Sequence, residues 1–175
     1  MGLAVSAHDR IRRQQLVRQA EGYLELEMPV HALAAIERMG PDEQLGEKAL
    51  LLRGTALKEL GRFAEAIGPL KRVAAQSPEN IQVWLSLGWC YKRVERLDLA
   101  IEALEEALAA EPGQAIVNYN LACYWSLAGN KRQAILFLAQ AIELDNDYRY
   151  LAGDEHDFDA IRDDPAFQAL ARVIV

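Results

Sequence analysis

Apolar residues recur along this chain at helical spacing. Trp84, Leu87, Gly88 and Tyr91 fall at i, i+3, i+4 and i+7, one stripe along an α-helix. Ala100, Leu104 and Ala107 form a second stripe beyond Arg96-Leu97. The pattern then returns with a fixed period. Pro78 and Pro112, Gly54 and Gly88, and Ala66 and Ala100 each stand 34 residues apart. Extending that register gives four gapless units: 13–46, 47–80, 81–114 and 115–148. The eighth position reads Ala20, Gly54, Gly88, Ala122, and the twentieth Ala32, Ala66, Ala100, Ala134. The twenty-fourth reads Ile36, Leu70, Leu104, Leu138. Breakers at Gly40-Pro41, Gly61, Ser77-Pro78, Pro112-Gly113 and Gly129-Asn130 separate the stripes. No run alternates as a strand would, so each unit predicts two helices. Gly88 and Ala100 let those helix axes approach closely, with Trp84 and Tyr91 filling the space on either side.

Unit three carries Trp84, Leu87, Gly88, Tyr91, Ala100, Leu104, Ala107 and Pro112, and in this it resembles the tetratricopeptide repeat family. Unit two matches through Leu50, Gly54, Leu57, Ala66, Leu70 and Pro78, but has Arg53 at an apolar position. Unit four matches through Leu121, Ala122, Trp125, Ala134, Leu138 and Ala141, with Asn118 and Asn146 as departures. Unit one is the weakest, with Gln19 and Met39 off pattern, as a terminal repeat with one neighbour allows. The resemblance implies an all-α fold, a right-handed α-solenoid of four helix–turn–helix repeats with a C-terminal capping helix. It also implies a concave groove that takes peptides.

Two flanks lie outside the repeats. Residues 1–12 read as a leader and the start of the first helix; their Met-Gly-x-x-x-Ser start also fits a myristoylation pattern, which chance readily produces. Residues 149–175 read as an acidic loop and a capping helix. Asp164-Pro165 suits an N-cap followed by proline at the first helical position, with Phe167, Leu170 and Ile174 on one face. Leu151, Phe158 and Ile161 are expected to add apolar contacts. Between Asp145 and Asp164 eight acids face two bases, a net of −6 out of −7 for the whole chain. The expectation is a cap over the last repeat; the alternative is a tail that docks on a partner or in this protein's own groove.

At 175 residues, with hydrophobic residues at 51% and charged residues at 26%, the chain is a foldable mixture. Its acidic balance argues against nucleic acid as a partner, and no apolar run has the length of a membrane span. Two cysteines, Cys90 and Cys123, fit a reducing compartment such as the cytoplasm. His8, His31 and His156 belong to no metal-binding spacing, and no glycine-rich phosphate loop occurs. A calcium loop begun at Asp145 or Asp157 puts Arg149 or Ile161 where an oxygen ligand is needed. No catalytic constellation, metal site or cofactor is therefore expected.

What remains is a surface. At 100° per residue, the second, fifth, ninth and twelfth positions of each first helix lie about 150° round from its core positions. In the family that stripe lines the groove. The candidate groove residues are Leu51, Thr55, Gln82, Leu85, Ser86, Trp89, Lys92, Arg93, Tyr119, Asn120 and Cys123. Widened by the sixth and thirteenth positions, the stripe carries +2, opposite in sign to the tail. Trp89 is the expected anchor, beside Tyr119, because Trp84 and Tyr91 already fill the core. The lysine–asparagine clamp that family members use for chaperone C-termini is missing in both registers, which hold Val17, Glu21, Leu52, Gln82, Ser86 or Leu51, Thr55, Ser86, Ile116, Asn120. The expected function is a non-catalytic adaptor binding a protein or peptide segment that pairs an apolar side chain with an acidic one. The alternatives are a dedicated client chaperone of a bacterial secretion or assembly system, or a scaffold that self-associates.

Overall fold

The computed structural model describes residues 7–171, with Ala7 and Glu43 by backbone alone. The expectations for the Met-Gly start and for Ile174 fall outside these residues. Every regular element among the described residues is helical. Helices α1 (Ala7–Glu25) and α2 (Pro29–Glu37) open the chain, followed by α3 (Glu47–Glu59) and α4 (Phe63–Gln76). Next come α5 (Ile81–Arg93), α6 (Leu97–Ala110), α7 (Ala115–Leu127) and α8 (Lys131–Leu144). The starts of α3, α5 and α7 are 34 residues apart, and so are those of α4, α6 and α8. The fold is all-α and built of helical repeats. It divides into two compact units between Ser77 and Pro78.

The turn inside each helix pair repeats as faithfully as the helices. Its fifteenth position has positive φ every time: Glu27 (55°), Gly61 (73°), Glu95 (60°) and Gly129 (77°). Glycine enters this left-handed region freely, whereas glutamate is strained there.

In the first unit, Leu50 and Leu70 are fully buried between α3 and α4. A Cβ built on Gly54 would lie 2.6 Å from Leu70 Cγ, so the small residue is what permits this helix spacing. Helix α2 stops early because Gly40 turns at φ 109° and Pro41 follows. A short 3₁₀ turn, Asp42–Gln44, then crosses to α3. Arginines tie it down: Arg13 donates to the Gln44 carbonyl at 3.0 Å and Arg72 to the Asp42 carbonyl at 2.5 Å. Arg53 pairs with the Asp42 carboxylate at 3.2 Å, which accounts for a charge at an apolar position of the repeat.

In the second unit Leu87, Leu104, Leu121 and Leu138 form the buried spine. Asn80 and Asn130 cap α5 and α8 by accepting from the Gln82 and Gln133 N–H groups. Trp84 packs on the core and donates through Nε1 to the Pro78 carbonyl at 2.8 Å. Asn118, off pattern and buried, is satisfied within α7 by donating to the Gln114 carbonyl at 3.0 Å.

Where the sequence suggests an acidic loop, Asp147–Asp154 forms helix α9, its start fixed by the Asp145 carboxylate accepting from the Asp147 N–H. A 3₁₀ segment, His156–Ile161, follows, and then α10 (Pro165–Ala171). Asp164 caps α10 as expected, accepting from the Ala166 N–H at 2.9 Å. Helices α9 and α10 pack against α8, so this part of the tail does cover the last repeat. Phe158, Ile161 and Phe167 are buried, but Leu151 is exposed and Ala152 takes the inward place one residue on.

Candidate functional site

The candidate groove stripe of the second unit runs along α5 and α7, and its two helices are treated differently. On α5, Trp89 is 43% exposed, Gln82 and Arg93 are exposed, and Leu85, Ser86 and Lys92 are half-buried. On α7, Tyr119 and Cys123 are buried and Asn120 half-buried. Leu51 and Thr55 belong to α3 in the first unit, where both are half-buried.

What buries the α7 stripe is the tail. Its 3₁₀ segment packs on α7, and Phe158 is fully buried there. The Phe158 ring meets Tyr119 edge-on at 5.9 Å and Phe167 at 5.3 Å, while Tyr148 covers Tyr119 at 4.8 Å. The neighbouring Asp157 carboxylate pairs with the Lys92 ammonium, and both side chains are mostly buried. The same ammonium lies over the rings of Trp89, at 5.5 Å, and Tyr124, at 5.6 Å. Trp89 and Tyr119, expected side by side, are thus linked through Lys92, Asp157 and Phe158.

This seating changes the electrostatics of the stripe. Lys92, counted as a free base from sequence, is neutralised by Asp157, and Glu155 lies close by. Arg93 remains over the Trp89 ring at 6.0 Å. Burial, reinforced by the Asp157 and Glu155 carboxylates, pushes the Cys123 thiol well above the ordinary thiol range. Tyr119 is raised mainly by burial. The ligand atoms of Cys123, Glu155 and Asp157 come within 4.8 Å of one another. Lys92 holds Asp157, however, and Glu155 accepts the Asp157 N–H at 3.1 Å, so the trio is accounted for by the tail's own packing.

Further contacts pin the tail's framework. Arg149 donates to the Leu170 carbonyl at 2.6 Å, Arg162 to those of Gly153 and Glu155, and Lys131 pairs with Asp164 at 2.7 Å. The packing of residues 155–161 on α7 was not legible from the repeat register alone. The signal available was the opposition of a basic stripe and an acidic tail in which Phe158 and Ile161 were expected to make apolar contacts.

Among the described residues no helix is long and apolar enough to cross a membrane. The chain aligns with the phagocyte signaling-impaired protein of Drosophila pseudoobscura pseudoobscura at 35% identity over 65 residues, 37% of this chain and 7% of that much longer protein. Among solved structures it is similar to a double mutant of MamA RS-1, with TM-score 0.74, 21% identity and coverage of 96% and 91% of the two chains. It is also similar to MamA in another crystal structure, with TM-score 0.71, 20% identity and coverage of 77% and 79%. A third neighbour is YrrB, described as a TPR protein with an unusual peptide-binding site: TM-score 0.67, 23% identity, coverage of 73% and 66%. At these identities the structures speak for the fold alone. The tetratricopeptide repeat family model matches residues 51–115 and 91–149, more than half of the chain. With the helix starts keeping the same 34-residue period, the chain belongs to the tetratricopeptide repeat family.

Proposed function

We propose that the protein is a non-catalytic adaptor that holds a segment of a partner protein against the concave face of its repeats, with Trp89 as the anchor. The observation that carries this reading is the position of Trp89. The core places of its repeat are already taken by Trp84 and Tyr91, yet Trp89 stands 43% exposed at the centre of the stripe with two cations over its ring. Exposed tryptophans of this kind dominate interface energetics. The partner's apolar side chain is assigned to Trp89 and Leu85, and its acidic side chain to the cations that lie over the Trp89 ring. Cys90 and Cys123, both buried and not in a disulfide, accord with a cytoplasmic protein.

The test is peptide display against the full chain, followed by titration of an enriched peptide. Trp89→Ala weakens binding by more than about tenfold, 1.4 kcal/mol, without lowering the melting temperature. Arg93→Ala weakens it mainly at low salt. A Trp89→Ala protein that binds as wild type and melts several degrees lower shows that Trp89 is a packing residue and sinks the assignment.

A further inference from the structure

Accepting the concave face as the binding surface, we propose that Asp157-Phe158 is a resident ligand of that face: the seat on α5 and α7 recognises an acidic residue followed directly by an aromatic one, and a partner segment of that chemistry binds by exchanging with the 3₁₀ segment.

The seat uses residues that the repeat core does not need. Tyr119 and Cys123 stand at the fifth and ninth positions of α7. Their counterparts on α5, Leu85 and Trp89, are half-buried and exposed. The α7 pair is buried because something sits on it. What sits there includes two adjacent side chains, the Asp157 carboxylate on Lys92 and the Phe158 ring against Tyr119 and Phe167, with Ile161 buried at the end of the segment. Arg162 also donates to the Glu155 carbonyl at 2.8 Å, at the start of the segment. The 3₁₀ hydrogen bonds from Phe158 N–H to the Glu155 carbonyl and from Arg162 N–H to the Asp159 carbonyl are long, at 3.3 and 3.4 Å.

The supports of the seat do not depend on the occupant. Phe167 belongs to α10, whose start is tied to α8 by Asp164 and Lys131, and Lys92 is also held over the Trp89 and Tyr124 rings. Another chain bringing an acid and an aromatic in succession therefore restores the same ion pair and the same ring burial. The exchange conserves those two contacts. Its cost is the fraction of time that the segment leaves the seat unaided, which lowers apparent affinity by that fraction. Trp89 and Arg93 lie beside the exchanged pair and extend the site for the rest of an incoming segment.

Two measurements on the full chain decide the matter. By hydrogen exchange, amides of 156–161 exchange at least about tenfold faster than those of Leu121–Tyr124, the signature of a segment that opens by itself. Equal rates mean that the segment leaves only when α7 unfolds, and that overturns the proposal. In the second, a labelled peptide with the sequence of residues 153–163 is titrated into the wild type and into the Asp157→Ala/Phe158→Ala variant. The variant, its seat vacated, binds at least about tenfold tighter, and a peptide with alanine in place of the phenylalanine does not bind. Equal binding of the two peptides, or of the two proteins, overturns it. Should the variant fail to fold, the exchange rates of the wild type still decide. Trp89 stands outside the seat, so the anchor is judged by Trp89→Ala against the displayed peptide: loss of that binding while the vacated seat fails to bind the 153–163 peptide refutes the seat alone, and the converse refutes the anchor alone.

Discussion

Gly54 and Gly88 occupy the same position of successive repeats, yet alanine at the two sites should act differently. At Gly54 the new methyl would lie 2.6 Å from both Cγ and Cδ2 of Leu70, a side chain with no exposed surface in which to move. Relief requires a shift of about 1 Å in a close-packed interior, and overpacking of this kind costs about 1–3 kcal/mol. Replacing glycine by alanine inside a helix returns about 1 kcal/mol. Taking the upper half of that cost, about 2–3 kcal/mol, because Leu70 has no room to relax, the net expectation for Gly54→Ala is a loss of about 1–2 kcal/mol. At Gly88 the nearest atoms, Leu104 Cγ and Cδ2, are 3.2 Å away. A few tenths of an ångström suffice there, and the helix gain offsets them, so Gly88→Ala should stay within about 0.5 kcal/mol of wild type. The chain supplies its own probes. All three tryptophans, Trp84, Trp89 and Trp125, lie in the second unit, so their fluorescence follows Gly88→Ala while far-UV circular dichroism follows both units. In urea, Gly54→Ala should move the dichroism midpoint down by about 0.5–1 M. A Gly54→Ala protein as stable as wild type, or equal losses at the two sites, would refute the argument from the Leu70 and Leu104 distances.

Glu95 holds a left-handed turn that glycine takes in two sister repeats, so Glu95→Gly should raise stability by about 0.5–1 kcal/mol in urea melts; a loss would mean that the side chain contributes more than the strain removes. Cys123, buried with its thiol raised, should resist Ellman's reagent at pH 8 in the native chain and react once urea unfolds it; full labelling of both thiols within a minute in buffer contradicts this. The carboxyls of Asp159, beside Arg162, and Asp164, beside Lys131, titrate lower in the folded chain than their ordinary value. Their stabilising effect is therefore complete above about pH 4 and declines as the pH falls below it, so the melting temperature should drop between pH 4 and 2.5. A rise over that interval would show that the sign is wrong.

The repeat core was legible because it depends on small and large side chains at fixed positions, and a period of 34 survives Arg53 and Asn118 as departures. Both departures find local partners, Asp42 and the Gln114 carbonyl, which the repeat pattern does not encode. Trp89 was placed on the surface by elimination, since its repeat already had two core aromatics, and its exposure agrees. The tail was harder. Lys92 and Asp157 are 65 residues apart, and no periodicity links a helix face to an irregular segment. Cap and occupant were weighed as alternatives, whereas the tail combines them: α9 and α10 lie on α8 while residues between them lie on α7. The groove charge read from the stripe alone was accordingly too positive in the second unit, because the acid that answers Lys92 comes from outside the register.

Helices of matching span in successive repeats make the repeat a unit of growth. A copy of residues 81–114 inserted after Glu111-Pro112-Gly113-Gln114 would begin and end on the same turn and would offer α7 the α6 face that it meets now. The same freedom ends at α8. There the face that would receive a fifth helix pair is covered by α9 and α10, and the Asp164–Lys131 pair ties the start of α10 to the first residue of α8. The tail thereby counts the repeats: new ones can enter upstream of it, and none can stack beyond it while it stays folded.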